Sequence, residues 1–140
     1  MANQLTNTGR EGFLAASYGW KSGSLPATWT PYIMGSMGNV LSDIVFLSDI
    51  TSAVWRARGT YLANKTTASG IADADDTVLV GVGSAGSATA VYIVLVNETN
   101  ASNTSLVGAV IDTAMGLPFL PNGGDVQLVW DSGSSRIFKL

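Results

Sequence analysis

Apolar residues in this chain fall into short runs separated by Gly-, Pro-, Ser- and Asn-rich stretches, a pattern of strands and turns. Residues 88–96 (ATAVYIVLV) are apolar on both faces, which predicts a central strand covered on both sides. Residues 77–82 (TVLVGV) and 106–112 (LVGAVID) predict two more strands, with Gly108 marking a bulge or a close approach. Residues 125–130 place Val126, Leu128 and Trp130 on one face. A turn at 131–134 and a strand at 135–140 then predict a closing hairpin. Upstream, residues 27–35 (ATWTPYIMG) carry β-branched and aromatic side chains, but Pro31 cannot donate to a ladder. An edge strand, or one bulged at that point, is expected. Residues 54–62 (VWRARGTYL) alternate, setting Trp55 and Ala57 on one face against Arg56 and Arg58 on the other.

Helical signal is confined to the start. Leu5, Gly9 and Phe13 stand four residues apart, and Thr6 or Thr8 can cap a helix beginning near Gly9. Gly9 and Gly12 limit it to one or two turns. Within residues 41–50, Leu-Ser-Asp-Ile occurs twice, six residues apart, a local duplication or two turns capped by Asp43 and Asp49. Together these elements predict an all-β fold: an antiparallel β-sandwich or jelly-roll-like barrel with a short N-terminal helical segment. The expected organisation is one β domain over residues 1–140 with an N-terminal arm of about residues 1–17.

Length and composition narrow the chemistry. At 140 residues, size scaling gives a folded surface of roughly 6,900 Å² and burial of about two-thirds of the unfolded surface, enough for a core without staples. The chain contains no Cys and no His. Disulfides, thiolate zinc sites and Ser-His-Asp or Cys-His catalysis within the chain are thereby excluded. Net charge is −3 and the pI is about 4.5, against a basic nucleic-acid-binding surface. The longest apolar run, residues 90–96, is too short for a membrane helix, which needs about 20 residues. The opening residues show no basic-then-apolar leader pattern. The Asn-x-Ser/Thr triplets at Asn64, Asn97, Asn100 and Asn103 are read as accidents of composition. Only 12% of residues are charged, against about 25% in typical soluble domains, while mean hydropathy is +0.29. Either a neutral polar coat or a surface covered by partners accounts for this.

Candidate constellations are sparse. Asp73, Asp75 and Asp76 offer clustered oxygens of the kind calcium takes, but they lack an EF-hand's glycine and terminal glutamate; a solvated turn is the competing reading. No spacing singles out a catalytic carboxylate pair, and neither Glu11 nor Glu98 sits in a context that raises a pKa. Gly81, Gly83 and Gly86 match a dinucleotide fingerprint, yet a strand follows where a helix is required. The Trp and Tyr residues suit a core first, an interface second and a sugar-stacking platform third. Arg56 and Arg58 read as a solvated face or a contact for an acidic partner. No cofactor, metal or catalytic residue is expected.

Several blocks resemble a family of small virion proteins of tailed bacteriophages. They are the opening residues 1–14 (MANQLTNTGREGFL), residues 46–50 (FLSDI), 70–76 (GIADADD), 111–114 (IDTA) and 116–118 (GLP). The ending contributes residues 121–125 (PNGGD), Trp130-Asp131 and residues 137–140 (IFKL). The resemblance spans the chain and is weakest over residues 26–45. It implies a non-enzymatic structural protein of the virion, a capsid cement or decoration protein on the outside of the head. The implied partners are the major capsid protein and further copies of itself, as homodimer or homotrimer, with no nucleic acid and no membrane. Synthesis in the host cytoplasm and residence on the phage head surface follow from the same resemblance. A neck or tail component and a carbohydrate-binding β-sandwich displayed on the particle are the alternatives. For contacts, the arm nominates Arg10, Phe13 and Leu14, on the expectation that it has few neighbours in its own β core; the strand face adds Arg56 and Arg58.

Overall fold

The computed structural model describes residues 4–21, 27–38, 43–83, 88–131 and 136–139. Residues 132–134 of the expected closing turn, Gly86 of the dinucleotide-like match and the start of the Leu-Ser-Asp-Ile echo at 41–42 lie outside the described residues. Within them the chain is all-β, sandwich-like, with one short α-helix.

A five-stranded antiparallel sheet organises the core. It comprises β1 (Gln4–Leu5), β2 (Trp29–Met34), β3 (Trp55–Arg58), β7 (Tyr92–Asn97) and β8 (Leu106–Ile111), in the order β1-β8-β7-β2-β3. The doubly apolar strand is indeed central: β7 pairs with β2 on one side and β8 on the other. Three short strands form a second sheet in the order β10-β5-β4: β4 (Thr66–Ala68), β5 (Ile71–Asp73) and β10 (Phe138–Lys139). A two-stranded ladder pairs β6 (Thr77–Leu79) with β9 (Val126–Leu128). The β4–β5 hairpin turns on Ser69 and Gly70, both at positive φ, the conformation of a two-residue type I′ loop.

Both faces of the large sheet are covered. On one, Tyr32, Met34, Val94, Val96, Val107 and Val110 pack under Ile44, Leu47 and Ile50. This covering segment is irregular, with single 3-10 turns at Leu47–Asp49 and Ser52–Val54. The Asp49 carboxylate accepts the Val45 and Phe46 N–H groups and so closes the first turn. On the other face, Trp29, Leu95 and Ala109 meet an aromatic cluster containing Tyr18, Trp20, Phe13 and Phe138. Farther along, Ile33 and Ile93 pack against Leu79, Val82 and Leu128 of the β6–β9 region.

Helix α1 (Asn7–Leu14) begins at Thr6, whose Oγ1 accepts the Gly9 N–H at 2.8 Å. The same hydroxyl donates to the Val107 carbonyl at 2.6 Å, tying the cap to β8, and Thr6 is fully buried. Thr6→Val therefore removes a cap and leaves a buried carbonyl without its donor. Urea denaturation of the variant is expected to show a loss of about 2 kcal/mol.

Four expectations need correction. β2 is interior, not an edge strand. The Pro31 carbonyl accepts from Gly59 N, so its missing N–H would face the same side, just where β3 has ended at Arg58. Trp55 and Ala57 do not share a face: the register steps from Ile33–Ala57 to Met34–Trp55, so Arg56 is the extra residue of a bulge. Trp55 accordingly packs beside Tyr32, and Ala57 turns to the opposite core. The closing hairpin is not formed: β9 pairs with β6 and β10 with β5. Finally, the N-terminal segment has many neighbours in its own core. β1 pairs with β8, Phe13 stacks 5.6 Å from Trp29, and the Tyr18 hydroxyl donates to the Thr8 and Gly9 carbonyls. Gly108 marks both a bulge and a close approach, since β8 slips register there and the Trp29 ring lies over it.

Candidate interaction surface

The five nominated contact residues do not converge. Arg10 and Leu14 lie on α1, which packs against β8 and β1 at one edge of the large sheet, whereas Arg56 and Arg58 lie on β3 at the other. Arg10 is exposed and donates to the Asn7 side chain; Leu14 is 85% exposed; Phe13 is built into the aromatic cluster. Arg56 is spent on backbone carbonyls, bonding Ala88 and Ala53 at 2.9 Å each.

Arg58 belongs to a closed polar network. Its guanidinium grips the Glu98 carboxylate through Nε, at 2.7 Å, and through a second N–H. Tyr32 and Thr30 donate their hydroxyls to the same carboxylate, whose side chain is only 7% exposed. Burial pushes the Glu98 carboxyl up, but the bonds from Arg58, Tyr32 and Thr30 together outweigh it and hold the group below its ordinary value. Burial, with Glu98 alongside, raises the Tyr32 phenol, and the Glu98 bond raises Arg58. Burial alone pushes the Tyr18 phenol up to about 12. Both Glu98 oxygens accept two bonds each from these partners, the arrangement of a structural clasp.

The three clustered aspartates go separate ways. Asp73 pairs with Arg136, Asp75 accepts from the Asn64 amide, and Asp76 accepts the Trp130 backbone N–H. Among the described residues, no group of three or more acidic side chains is placed to share a metal ion. Among the Trp and Tyr residues, Tyr61 alone is exposed, lying under Arg58 with the guanidinium 5.8 Å from its ring centre. No helix among the described residues is long and apolar enough to cross a membrane.

The surface that stands out was missed at the level of sequence. In the β6–β9 ladder Leu79 and Leu128 point inward, and their alternating neighbours point out. Val78 (49% exposed), Val80 (79%) and Val129 (67%) thus face solvent together with Gln127. Continuing the register one residue beyond each end pairs Val80 with Asp125 and Val129 with Asp76. The two carboxylates are exposed and accept backbone N–H groups across the ladder, Asp125 from Gly81 at 3.0 Å and Asp76 from Trp130 at 2.9 Å. An open groove of about 670 Å³ runs beside β9, lined by Ile93, Ile111, Val129 and Trp130, with the fully exposed Met115 at its rim. Among the described residues no strand pairs with the outer edge of β9. The available signal was apolar residues on both faces of a short strand that lacked a second covering layer.

Comparison with known proteins finds no family model and no curated protein that matches the chain. The outward face of the ladder thus exposes three valines and Gln127 together with the carboxylates of Asp76 and Asp125.

Proposed function

We propose that this chain is a structural protein of a tailed-bacteriophage virion, a cement or decoration protein that binds the outside of the major capsid protein lattice and stabilises the head. The observation that carries the reading is the set of exposed valines on β6 and β9, in a chain with only 12% charged residues. Large apolar side chains gathered on one exposed face mark an interaction site. The end-to-end resemblance in sequence names the kind of partner. Binding the assembled lattice and not its free subunits stabilises the shell by mass action. Several such contacts per oligomer, dimer or trimer, convert weak binding to avidity. The function requires no covalent chemistry, and the chain acts as a brace and not as an enzyme.

With four of the eight Trp and Tyr side chains buried and three half-buried, little remains for a sugar-stacking platform, so the carbohydrate-binding alternative draws no support from the geometry. Quantitative mass spectrometry of purified particles is expected to find this chain at a copy number comparable to the major capsid protein. A few copies per particle assigns it to the neck or tail instead, and absence from mature particles overturns the reading.

A further inference from the structure

We propose that the outward face of the β6–β9 ladder is the surface that meets the shell, and that it docks on a protein surface with an apolar centre flanked by Lys or Arg. This rests on the cement-protein reading and names the chemistry of the contact. The face is a small two-by-three array: Asp76, Val78 and Val80 on one strand against Val129, Gln127 and Asp125 on the other. Two opposite corners are carboxylates, the other two are Val80 and Val129, and the middle pair is Val78 with Gln127. None of the six positions carries a cation.

That charge pattern selects the occupant. A second copy laid face to face brings no positive charge, so each carboxylate would be desolvated over a valine or set against another carboxylate. A partner with basic groups at matching corners satisfies both aspartates while its apolar centre covers the valines. The lack of lysine on these two short strands agrees with a face kept available, since exposed sheet elements are ordinarily guarded by charge, lysine above all. Each aspartate holds a backbone N–H of the opposite strand, so both corners are fixed before the partner arrives.

The test uses the full-length protein and purified shells assembled without it. Asp76→Asn/Asp125→Asn removes both charges but keeps the oxygen that accepts each backbone N–H. It is expected to bind about ten-fold more weakly and to lose most of the salt dependence of the wild type. Val78→Lys sets a cation in the middle of the array and is expected to weaken binding about 100-fold. Circular dichroism and melting should match wild type for both, because these side chains face solvent. Wild-type affinity in both variants overturns the assigned face while leaving the cement-protein reading intact. Failure of the wild type itself to bind the shells overturns both. Dissociation of a wild-type oligomer by Val78→Lys in sedimentation, with shell binding by the double variant unchanged, gives the face to a second copy and overturns the proposal.

Discussion

Gly9→Ala is expected to destabilise the protein by about 3 kcal/mol and lower its melting temperature by about 10 °C, although alanine is the better helix former by about 1 kcal/mol. A Cβ built on Gly9 would lie 2.2 Å from the Gly108 carbonyl oxygen and 3.0 Å from Thr6 Oγ1. The nearer obstacle is backbone of the β8 strand, in the middle of a paired sheet, and it has no rotamer to yield. Helix α1 must therefore lift from the strand, which disturbs the buried Thr6 bonds and the Phe13–Trp29 stack together. Glu11→Ala, on the exposed side of the same helix, is the control, and its effect should stay within about 0.5 kcal/mol. Thermal and urea denaturation of the two variants decide the matter: equal stability would mean that α1 does not pack on β8 as described.

Glu98→Ala is expected to cost about 2–3 kcal/mol in urea denaturation. The substitution leaves the buried Tyr32 and Thr30 hydroxyls without their acceptor. The loss stays below that of a fully buried ion pair, because the Arg58 side chain is 51% exposed and its guanidinium rehydrates. The pH dependence follows from the direction of the Glu98 shift. A carboxyl held lower in the folded than in the unfolded state contributes stability above its unfolded pKa, about 4.3. That contribution disappears as pH falls through the depressed folded value. Wild type should therefore lose its advantage over Glu98→Gln progressively below about pH 4. A constant stability gap between the two proteins from pH 7 to pH 3 would remove Glu98 from this role.

Most strand positions were legible because period-two alternation and β-branched runs act locally; β1, β4 and β5, two or three residues each, are too short to show a period. The stretch at 88–96 announced its own central place, since a strand apolar on both faces has nowhere else to sit. The Thr6 cap was readable for the same reason: the hydroxyl and the N–H it satisfies are three residues apart. The bulge at Arg56 was not readable. A single extra residue reverses every later side chain, and nothing in VWRARGTYL marks where the register slips. The partner of β9 was equally hidden. A chain that turns after Trp130 suggests a hairpin, but Leu128 finds its ladder with Thr77, fifty-one residues earlier in the numbering.

The nominated contact residues show the same division. Arg58 looked like an exposed charge on a strand face, and only the folding of β7 alongside β2 brings Glu98 within 2.7 Å of it. Phe13 looked like an arm residue, and only the long-range β1–β8 pairing draws it into the aromatic cluster. From residue order alone came the class of fold, the central strand, the capped helix and the exclusion of cysteine and histidine chemistry, all consequences of local spacing and composition. The three-dimensional arrangement chose which apolar residues went unburied. Val78, Val80 and Val129 are as apolar as their neighbours in sequence, and they face outward because the ladder they sit on has a core on one side only.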